Sequence, residues 1–413
     1  MSKRNRVVVT GMGILAPNGT GLEAFWDSLL KGKSGIGPIT LFDATGYKSR
    51  IAGEVKGFDP LDYIEPELKP RRMARHTQLA YAATMMALED AGLDIENLEL
   101  PSPTPVIIGV STSAIDVIES VYRAVEAKTP NRAPTTSAAA SIPQAAANLI
   151  ADRLGSFAHA TTISSACPSG LDAIADAAAM IRSGEAEIAI AGGADAPITP
   201  LTMASFIASG LSSTRNHEPE TASRPFDLTR DSGVISEGAG VMVLENLERA
   251  EARGIRPYLE IVGYGKQRDA DPKAPASGLE HSMMLALANA QYTTANVDYI
   301  SAYGPGHPTL DIAEVMIIKK VFGKRAYLIP VSSIKGVTGN PLAAGGPFQL
   351  AACALSMRDH RIAPTANYNT PDPECDLDFV PNRSRKAKLN CALVNVRGIG
   401  GSASSLIVAR VSP

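Results

Sequence analysis

Cys167 stands where the sequence predicts the end of a strand and the start of a helix. A β-branched run precedes it, and apolar residues recur at three- and four-residue spacing from Leu171 to Ile181, as on the buried face of a helix. The free amides and the dipole at a helix N-terminus favour a thiolate, the nucleophilic form of cysteine. A small buried apolar cysteine fits the same position, because most free cysteines are of that kind. From these residues alone, Cys167 is either a nucleophile or a core residue.

The segments around Cys167 alternate between strand and helix patterns. The clearest strand patterns cover 6–13, 105–110, 187–192 and 258–262, and the clearest helix patterns cover 77–91, 137–148, 171–183 and 279–290. Near Gly254 the chain reaches its middle, and the order strand, helix, strand then begins again. Strands that alternate with helices predict a mostly parallel, layered sheet.

The composition excludes several classes of function. The 413 residues contain 39 Lys and Arg against 42 Asp and Glu, and no basic stretch is interleaved with aromatic residues, which argues against nucleic acid as a partner. No apolar run approaches the ~20 residues that a membrane span requires. The four cysteines are scattered without a CxxC pair, so we expect reduced thiols in a cytoplasmic protein, with neither disulfides nor a metal site.

A glycine motif at residues 11–16 matches the dinucleotide-binding pattern GxGxxA. That pattern requires a helix to begin at its glycines, whereas Pro17 and Gly19 interrupt any helix there. We therefore expect no nucleotide site, and the first helix is predicted to begin near Gly21.

Five glycine-containing motifs follow one another along the chain: RVVVTGMG at 6–13, SACPSG at 165–170, ASRPFD with SEGAG at 222–240, SSIKGVTG at 332–339 and NVRGIGG at 395–401. In this order they resemble the motifs of one family, the β-ketoacyl-acyl carrier protein synthases of the elongating type, in the thiolase superfamily. The resemblance implies an α/β, thiolase-like fold with two similar βαβαβαββ halves in a layered α-β-α-β-α core. Residues 1–254 would form the half that carries the nucleophile, and residues 255–413 the half that carries the remaining catalytic loops. The segment 203–213 resembles the loop beside the active site.

The resemblance makes Cys167 the residue that accepts an acyl chain, but the chain departs from the family at two positions. In the family, two histidines donate hydrogen bonds to the malonyl thioester carbonyl and stabilise the enolate that decarboxylation creates. Here Tyr303 occupies the first position and Asn340 the second. An amide donates a hydrogen bond much as an imidazole does, whereas a phenol with a pKa near 10 is a poor base at neutral pH.

Other family positions are retained or altered. Lys335 matches the active-site lysine, and Asp311 and Glu314 match two acidic positions, although a structural ion pair accounts for each equally well. The resemblance assigns the oxyanion hole to the backbone amides of Cys167 and Ile399. The side chains of Arg397 and Ile399 replace phenylalanines that gate the acyl tunnel, and a guanidinium at this gate indicates an acidic or polar ligand, or a gate that stays open. His307, four residues after Tyr303, is either a substitute donor or an exposed loop residue.

The predicted partner is acyl carrier protein. Lys69, Arg71 and Arg72 lie where related synthases receive this acidic protein, although a charge cluster is also typical of a solvated surface. The resemblance implies a homodimer, or a heterodimer with a second ketosynthase-like subunit. No cofactor is expected, since the substrates travel on the phosphopantetheine of the carrier.

We therefore predict an acyltransferase of fatty-acid or polyketide assembly that forms an acyl thioester on Cys167. Because both histidines are missing, decarboxylative condensation is expected to be altered or absent. One alternative is a working elongating synthase in which Tyr303 and Asn340 act as oxyanion donors. Another is a non-catalytic partner subunit similar to a chain-length factor, although such subunits lack the nucleophile that is present here.

Overall fold

The fold is built on fifteen strands and thirteen α-helices in the described part of the chain. The structure, a computed structural model, describes residues 5–94, 100–101, 103–155, 159–270 and 276–412. The strands are β1 (Val7–Ala16), β2 (Gly19–Thr20), β3 (Gly37–Pro38), β4 (Ile51–Ala52), β5 (Val106–Gly109), β6 (Ala160–Ile163), β7 (Ile188–Asp195), β8 (Gly238–Asn246), β9 (Leu259–Arg268), β10 (Tyr299–Ser301), β11 (Val331–Ser332), β12 (Arg361–Ile362), β13 (Arg385–Lys386), β14 (Cys391–Arg397) and β15 (Ser402–Ala409).

The α-helices vary from single turns to four turns. They are α1 (Leu22–Lys31), α2 (Arg75–Asp90), α3 (Ile115–Glu126), α4 (Ser137–Ala140), α5 (Ala145–Arg153), α6 (Ser169–Ser183), α7 (Pro200–Ala208), α8 (Pro219–Ala222), α9 (Leu247–Ala252), α10 (Ser277–Ala290), α11 (Pro308–Phe322), α12 (Lys335–Thr338) and α13 (Gly345–Asp359). The first helix begins at Leu22, because β1 continues through both glycines of the GxGxxA motif as far as Ala16.

Most strands join one sheet that repeats the same order twice. From its edge to its middle, the first half runs β6-β5-β7-β8-β1, and the second runs β11-β10-β14-β15-β9. In each half the three outer strands are parallel and the two inner strands are antiparallel to their neighbours. Val7–Val9 pair with Leu259–Ile261 and join the halves. The predicted boundary after Gly254 lies between α9 and β9.

Helices lie on both faces of each half-sheet and between the halves. α2 and α5 cover the outer face of the first half, and α10 and α11 lie on the outer side of the second. α6 and α13 pack against each other and against strands of both halves. Residues Gly345–Met357 of α13 are all buried, as expected for a helix with protein on every side. These layers are the α-β-α-β-α arrangement that the motifs implied.

Two local predictions were wrong. The helix predicted over 137–148 is interrupted, and α4 and α5 are separate, because Pro143 lacks an amide hydrogen and disfavours helical geometry at the residue before it. The predicted loop over 203–213 begins inside α7, which starts with Pro200 and is capped by the Thr199 hydroxyl.

All four cysteines are free thiols and are buried. Cys167 contacts the main apolar core, as does Cys353 in α13. Across the described ranges, no helix combines the length and the apolar character that crossing a bilayer demands.

Candidate active site

Cys167 lies in the tight turn between β6 and α6, with 3% of its surface exposed. The residue before it, Ala166, has a φ of 64°, a left-handed conformation that costs a non-glycine residue ~1–2 kcal/mol. The Ser169 hydroxyl stabilises this turn by accepting the Ser165 amide hydrogen at 2.8 Å and donating to the Ala166 carbonyl at 2.5 Å. The turn therefore holds the sulfur in one position.

Asp172, in the first turn of α6, anchors the same turn to the second half of the molecule. Its buried carboxylate accepts hydrogen bonds from the hydroxyls of Ser165 at 2.6 Å, Tyr264 at 2.8 Å and Ser404 at 2.5 Å. The Lys266 ammonium lies 2.5 Å away and completes the cluster. Because Tyr264 and Lys266 belong to β9 and Ser404 to β15, one carboxylate joins the nucleophile turn to both strands.

Tyr303 follows β10 and points its hydroxyl at the nucleophile. The phenolic oxygen donates to the Cys167 Sγ at 3.8 Å. Glu314 accepts the Tyr303 amide hydrogen at 2.9 Å and the Gly304 amide hydrogen at 2.8 Å. The Lys335 ammonium donates to the Tyr303 carbonyl at 2.7 Å and lies 4.5 Å from the centre of its ring. The predicted residues Cys167, Tyr303, Lys335 and Glu314 are therefore adjacent.

Burial dominates the electrostatics of this group. It raises the pKa of Cys167, against the smaller opposing effects of the Tyr303 hydroxyl and the Lys335 charge. It lowers the pKa of Lys335 to about 8, and it raises the pKa of Glu314. Burial and the nearby sulfur also raise the pKa of Tyr303 well above its usual value. Desolvation thus favours the neutral thiol of Cys167, in contrast to the thiolate that the helix N-terminus was expected to favour.

Asn340 is held by its backbone beside Tyr303 in the cavity wall. Its amide nitrogen donates to the Val234 carbonyl at 2.7 Å, and its carbonyl accepts from the Ser236 amide at 3.0 Å. The side-chain Oδ1 is buried and has no hydrogen-bond partner among the described residues. A buried amide oxygen without a hydrogen-bond partner lowers the stability of the folded protein.

The loop that follows β14 packs directly on the nucleophile turn. A Cβ atom at Gly398 would lie 2.8 Å from Pro168 and 2.9 Å from Ala166, so only glycine permits this approach. The next amide, that of Ile399, has no acceptor within the described residues, and the Cys167 amide has none besides its own sulfur. The loop thus provides a second free N–H group close to the turn, while the Ile399 side chain is 60% exposed.

Asp311 holds the loop between Tyr303 and α11. Its buried carboxylate accepts amide hydrogens from Phe226 at 2.8 Å and from Gly306 and His307 at 3.1 Å. Burial raises the pKa of Asp311 to about 7, and the Arg230 guanidinium 3.7 Å away opposes the rise. Asp311 therefore orders the backbone of this loop.

His307 begins α11 as its N-terminal cap. The Nδ1 atom accepts from the Thr309 amide at 3.3 Å and from the Leu310 amide at 3.4 Å. Burial, together with the charges of Arg230 and Arg397, lowers the pKa of His307. The ring lines the cavity of Cys167, but no hydrogen bond joins it to the sulfur in the described structure, so its role as a substitute donor stays a prediction.

Arg397, at the predicted gate, is paired with a carboxylate. Its Nη2 lies 2.5 Å from the Asp269 Oδ2, with the two side chains 13% and 9% exposed. Asp269 also accepts the Gly278 amide hydrogen at 2.8 Å, at the start of α10. The guanidinium is therefore fixed between β14 and α10.

A cavity of about 210 Å³ opens beside the sulfur. Its wall contains most of the predicted catalytic and gating positions together with several apolar residues. The lining residues are Cys167, Phe206, Leu211, Ser232, Gly233, Ile235, Tyr303, Pro305, His307, Leu310, Asn340, Leu342, Arg397, Gly398, Ile399, Gly400 and Gly401.

The three basic residues predicted to bind a carrier lie elsewhere on the surface. All three are exposed: Lys69 connects two short 3₁₀ turns, Pro66–Leu68 and Pro70–Arg72, and Arg71 and Arg72 lie in the second. They line two other cavities, of about 390 and 350 Å³, and not the cavity of Cys167.

Sequence reasoning missed three carboxylates near the site, two of them fully buried and one, Asp269, partly buried. Asp195, at the end of β7, accepts amide hydrogens from Thr112 at 2.8 Å and Ala343 at 2.9 Å, and burial raises its pKa to about 6. Asp172 and Asp269 are the others. Asp195 and Asp172 each interrupt an apolar segment, and the sequence alone could have revealed that. The sequence around Asp269 contains no comparable signal.

Two family profiles match the chain, one in each half. Residues 4–250 match the family profile described as Beta-ketoacyl synthase, N-terminal domain, and residues 258–369 match that described as Beta-ketoacyl synthase, C-terminal domain. The chain belongs to the β-ketoacyl synthase family. This family assignment confirms acyl transfer as the class of reaction that the motifs predicted.

Full-length relatives come from fatty-acid and polyketide synthesis. The chain is 40% identical to a 3-oxoacyl-[acyl-carrier-protein] synthase 2 of Vibrio harveyi, over 100% of both chains. It is 39% identical to the tetracenomycin polyketide synthase ketoacyl synthase alpha subunit of Streptomyces glaucescens, over 98% of this chain and 97% of that protein.

Solved structures of other β-ketoacyl synthases confirm the thiolase-like fold. A β-ketoacyl synthase from Burkholderia phymatum is 31% identical with a TM-score of 0.91, over 99% of this chain and 100% of that chain. A ketosynthase in complex with its type II polyketide acyl carrier protein is 33% identical, with the same TM-score and the same coverage.

Proposed function

We propose that the protein transfers an acyl group from acyl carrier protein to the sulfur of Cys167. The observation that carries this proposal is the nucleophile turn itself. Its sulfur opens onto a cavity, and the free amide of Ile399 lies on the loop packed against it. A thioester carbonyl bound there would receive amide hydrogens at its developing oxyanion, as in acyl transfer generally. The proposal places the chain in fatty-acid or polyketide assembly.

Decarboxylative condensation is altered or absent in this proposal. Tyr303 directs its hydroxyl at the sulfur, so this donor is engaged with the nucleophile before any enolate forms. Its raised pKa keeps the phenol neutral, and a neutral phenol cannot provide the positive charge that an imidazolium gives to an enolate. The nearest cation, Lys335, is directed at the Tyr303 carbonyl.

A second candidate is a working elongating synthase, which the position of Asn340 favours. Its side chain lines the same cavity as Tyr303 and Cys167, and its oxygen has no protein partner in the described residues. A bound thioester could rotate both donors towards its carbonyl. Rapid release of carbon dioxide with formation of a β-ketoacyl product would establish this candidate.

The proposed assembly contains two ketosynthase-type subunits and a carrier. α3 presents Ile118, Tyr122 and Val125 on one exposed face, and the edge strand β6 has no fully buried residue. An exposed apolar helix face and a free strand edge are each typical of an interface between subunits. We propose a homodimer, or a heterodimer with a second ketosynthase-like chain, which light scattering would measure as a dimer. A solved relative is itself a ketosynthase/chain length factor.

Lys69, Arg71 and Arg72 are proposed to attract the acidic carrier, whose phosphopantetheine would bring the acyl group without any further cofactor. We also propose a cytoplasmic location and a division into halves at residues 254 and 255. A purely structural partner subunit is disfavoured, because Cys167 is retained in an ordered turn.

Intact mass spectrometry tests the central proposal. After incubation with acyl-carrier protein, the unmodified protein should gain one acyl group, and Cys167→Ala should gain none. Cys353→Ala is the matched control, since this second buried thiol should be dispensable. An adduct that persists in Cys167→Ala, or that maps to another cysteine, would contradict the proposal.

A further inference from the structure

The guanidinium of Arg397 lies in the wall of the catalytic cavity, where the proposed transfer does not yet use it. Arg397 ends β14, and the next residue, Gly398, touches Ala166 and Pro168 of the nucleophile turn. Arg397 is therefore the residue directly before the glycine that packs beside Cys167.

This guanidinium has hydrogen-bond donors to spare. A guanidinium carries five N–H donors in a planar fork, and Asp269 takes one of them from Nη2. The Nε atom is buried without an acceptor among the described residues. An arginine in this state can bind a second carboxylate while it keeps the first.

The cavity wall is otherwise suited to an anion. The described residues that line it include no Asp, Glu or Lys, and Arg397 is their one permanently charged side chain. Burial and two neighbouring guanidinium groups keep His307 in its neutral form at physiological pH. Phe206, Leu211 and Leu310 make the rest of the wall apolar, which strengthens a charge interaction by excluding water.

We propose that the acyl group loaded onto Cys167 carries a terminal carboxylate, which Arg397 binds. This inference rests on the proposed acylation of Cys167 and names its substrate class: short dicarboxylic acyl thioesters. A cavity of about 210 Å³ accommodates a short chain of this kind.

The chemical step is a thioester exchange. The Cys167 sulfur attacks the thioester carbonyl, a new sulfur–carbon bond forms, and the bond to the carrier thiol breaks. The proton lost from Cys167 passes to the departing thiol, and the terminal carboxylate is unchanged. Pairing with Arg397 also opposes loss of carbon dioxide, because the negative charge would leave the paired carboxylate in the transition state.

Two donors of equal shape test the proposal. Full-length protein is incubated with carrier loaded with either malonyl or 3-methylbutyryl, in which an isopropyl group replaces the carboxylate. We expect malonyl to load faster, and Arg397→Met to slow malonyl loading by roughly 10- to 100-fold while 3-methylbutyryl loading is unchanged, as expected for one charge-assisted pair. Mass spectrometry separates a malonyl adduct from an acetyl adduct, the product of decarboxylation.

The controls separate binding from folding. Arg397→Met leaves Asp269 unpaired, so Asp269→Asn with Arg397→Met removes both charges and should show the same loss. Arg256→Met changes an exposed arginine outside the cavity of Cys167, and it should leave both rates unchanged.

Three results would overturn the inference: no preference for malonyl in the unmodified protein, equal losses with both donors in Arg397→Met, or an acetyl adduct formed from malonyl. Failure of both donors to acylate Cys167 would instead contradict the proposed function itself.

Discussion

Tyr303 is the residue at which the motif resemblance implies the largest chemical departure from the family. Its hydroxyl contacts the Cys167 sulfur, and its backbone is held by hydrogen bonds with Glu314 and Lys335. A histidine at this position would have an imidazole in place of the phenol and would keep both backbone contacts. The substitution therefore alters the donor and leaves the loop that carries it in place.

The double variant Tyr303→His, Asn340→His tests whether these donors limit decarboxylation. An oxyanion donor of this kind is worth ~3–4 kcal/mol, or about 10²–10³ in rate, so restoring both should accelerate carbon dioxide release from malonyl-carrier protein. Labelled malonyl-carrier protein gives that rate, and acylation of Cys167 is measured on the same preparation. Brisk decarboxylation by the unmodified protein would show that Tyr303 and Asn340 already suffice.

The thiol of Cys167 should react slowly at neutral pH. Its pKa is raised by burial, so little thiolate is present, and the rate of alkylation should keep rising above the pH at which an exposed cysteine levels off. Lys335 opposes this shift while it is charged, so Lys335→Met should slow alkylation further. Because the pKa of Lys335 is about 8, the difference should be largest below pH 8 and vanish well above it.

Rates of iodoacetamide addition, measured by mass against pH, provide the test, with Cys167→Ala as the blank. A profile that levels off below pH 8 in the unmodified protein would mean that the helix N-terminus prevails over burial.

At the scale of elements, the nucleophile turn depends on Asp172 in α6. Asp172→Asn removes the charge that Lys266 pairs with and should weaken the bonds to Ser165 and Ser404. We expect a loss of about 1–3 kcal/mol in the free energy of unfolding, at the lower end because Lys266 is 46% exposed and can be rehydrated. Acylation of Cys167 should slow as well, since Ser165, two residues before the nucleophile, would be held less firmly.

Urea unfolding and the acylation rate are measured on the same variants. Glu185→Gln, just after the end of α6 and exposed, is the matched control and should change neither. If Asp172→Asn lowers stability but leaves acylation intact, Asp172 supports the fold and does not position the nucleophile.

The sequence predicted most elements of the site because their causes are local. The motif SACPSG identified the nucleophile turn, and the apolar spacing identified α6. Gly11 and Gly13 show the limit of such reasoning: a Cβ atom there would overlap the backbone of α2 at Ala87 and Ala83, so the glycines serve close packing between a strand and a helix. That contact joins distant segments and is invisible in a local pattern.

The pairing of Arg397 with Asp269 was missed for the same reason. Arg397 was predicted at the gate from its motif, but no motif contains its partner, which lies 128 residues earlier. The sequence left a buried Cys167 as one of two possibilities, because burial depends on the whole fold. Charge pairs and pKa shifts are the properties of a site that its own motif does not specify.

At the scale of the whole molecule, the repeated sheet explains why the site lies between the halves. Cys167 follows β6 and Tyr303 follows β10, both at the carboxyl ends of parallel strands. Asn340 follows β11, and Arg397 ends β14. Each half therefore contributes residues from the carboxyl ends of its parallel strands, where ligand sites of parallel sheets are found.

Association with the carrier also belongs to this scale. Charge reversal at Lys69, Arg71 and Arg72 should slow acylation by carrier-bound substrate, with a loss that shrinks as salt rises. Acylation by a small free thioester should be unaffected, and Lys388→Glu, an exposed lysine outside the basic segment, serves as the matched control. Equal losses with both donors would indicate damage to the fold.

The pairing of β1 with β9 has a consequence for synthesis of the chain. β1 is made first, yet its neighbours β8 and β9 are completed only at residues 246 and 268. Until then only the short strand β2 pairs with β1, at Leu15 and Ala16, and closing so long a loop is slow. A ribosome-bound fragment that ends after the first half would still leave the β9 edge of β1 uncovered. The two halves resemble each other in structure, yet β1 of the first half is fully paired only when β9 of the second half is present.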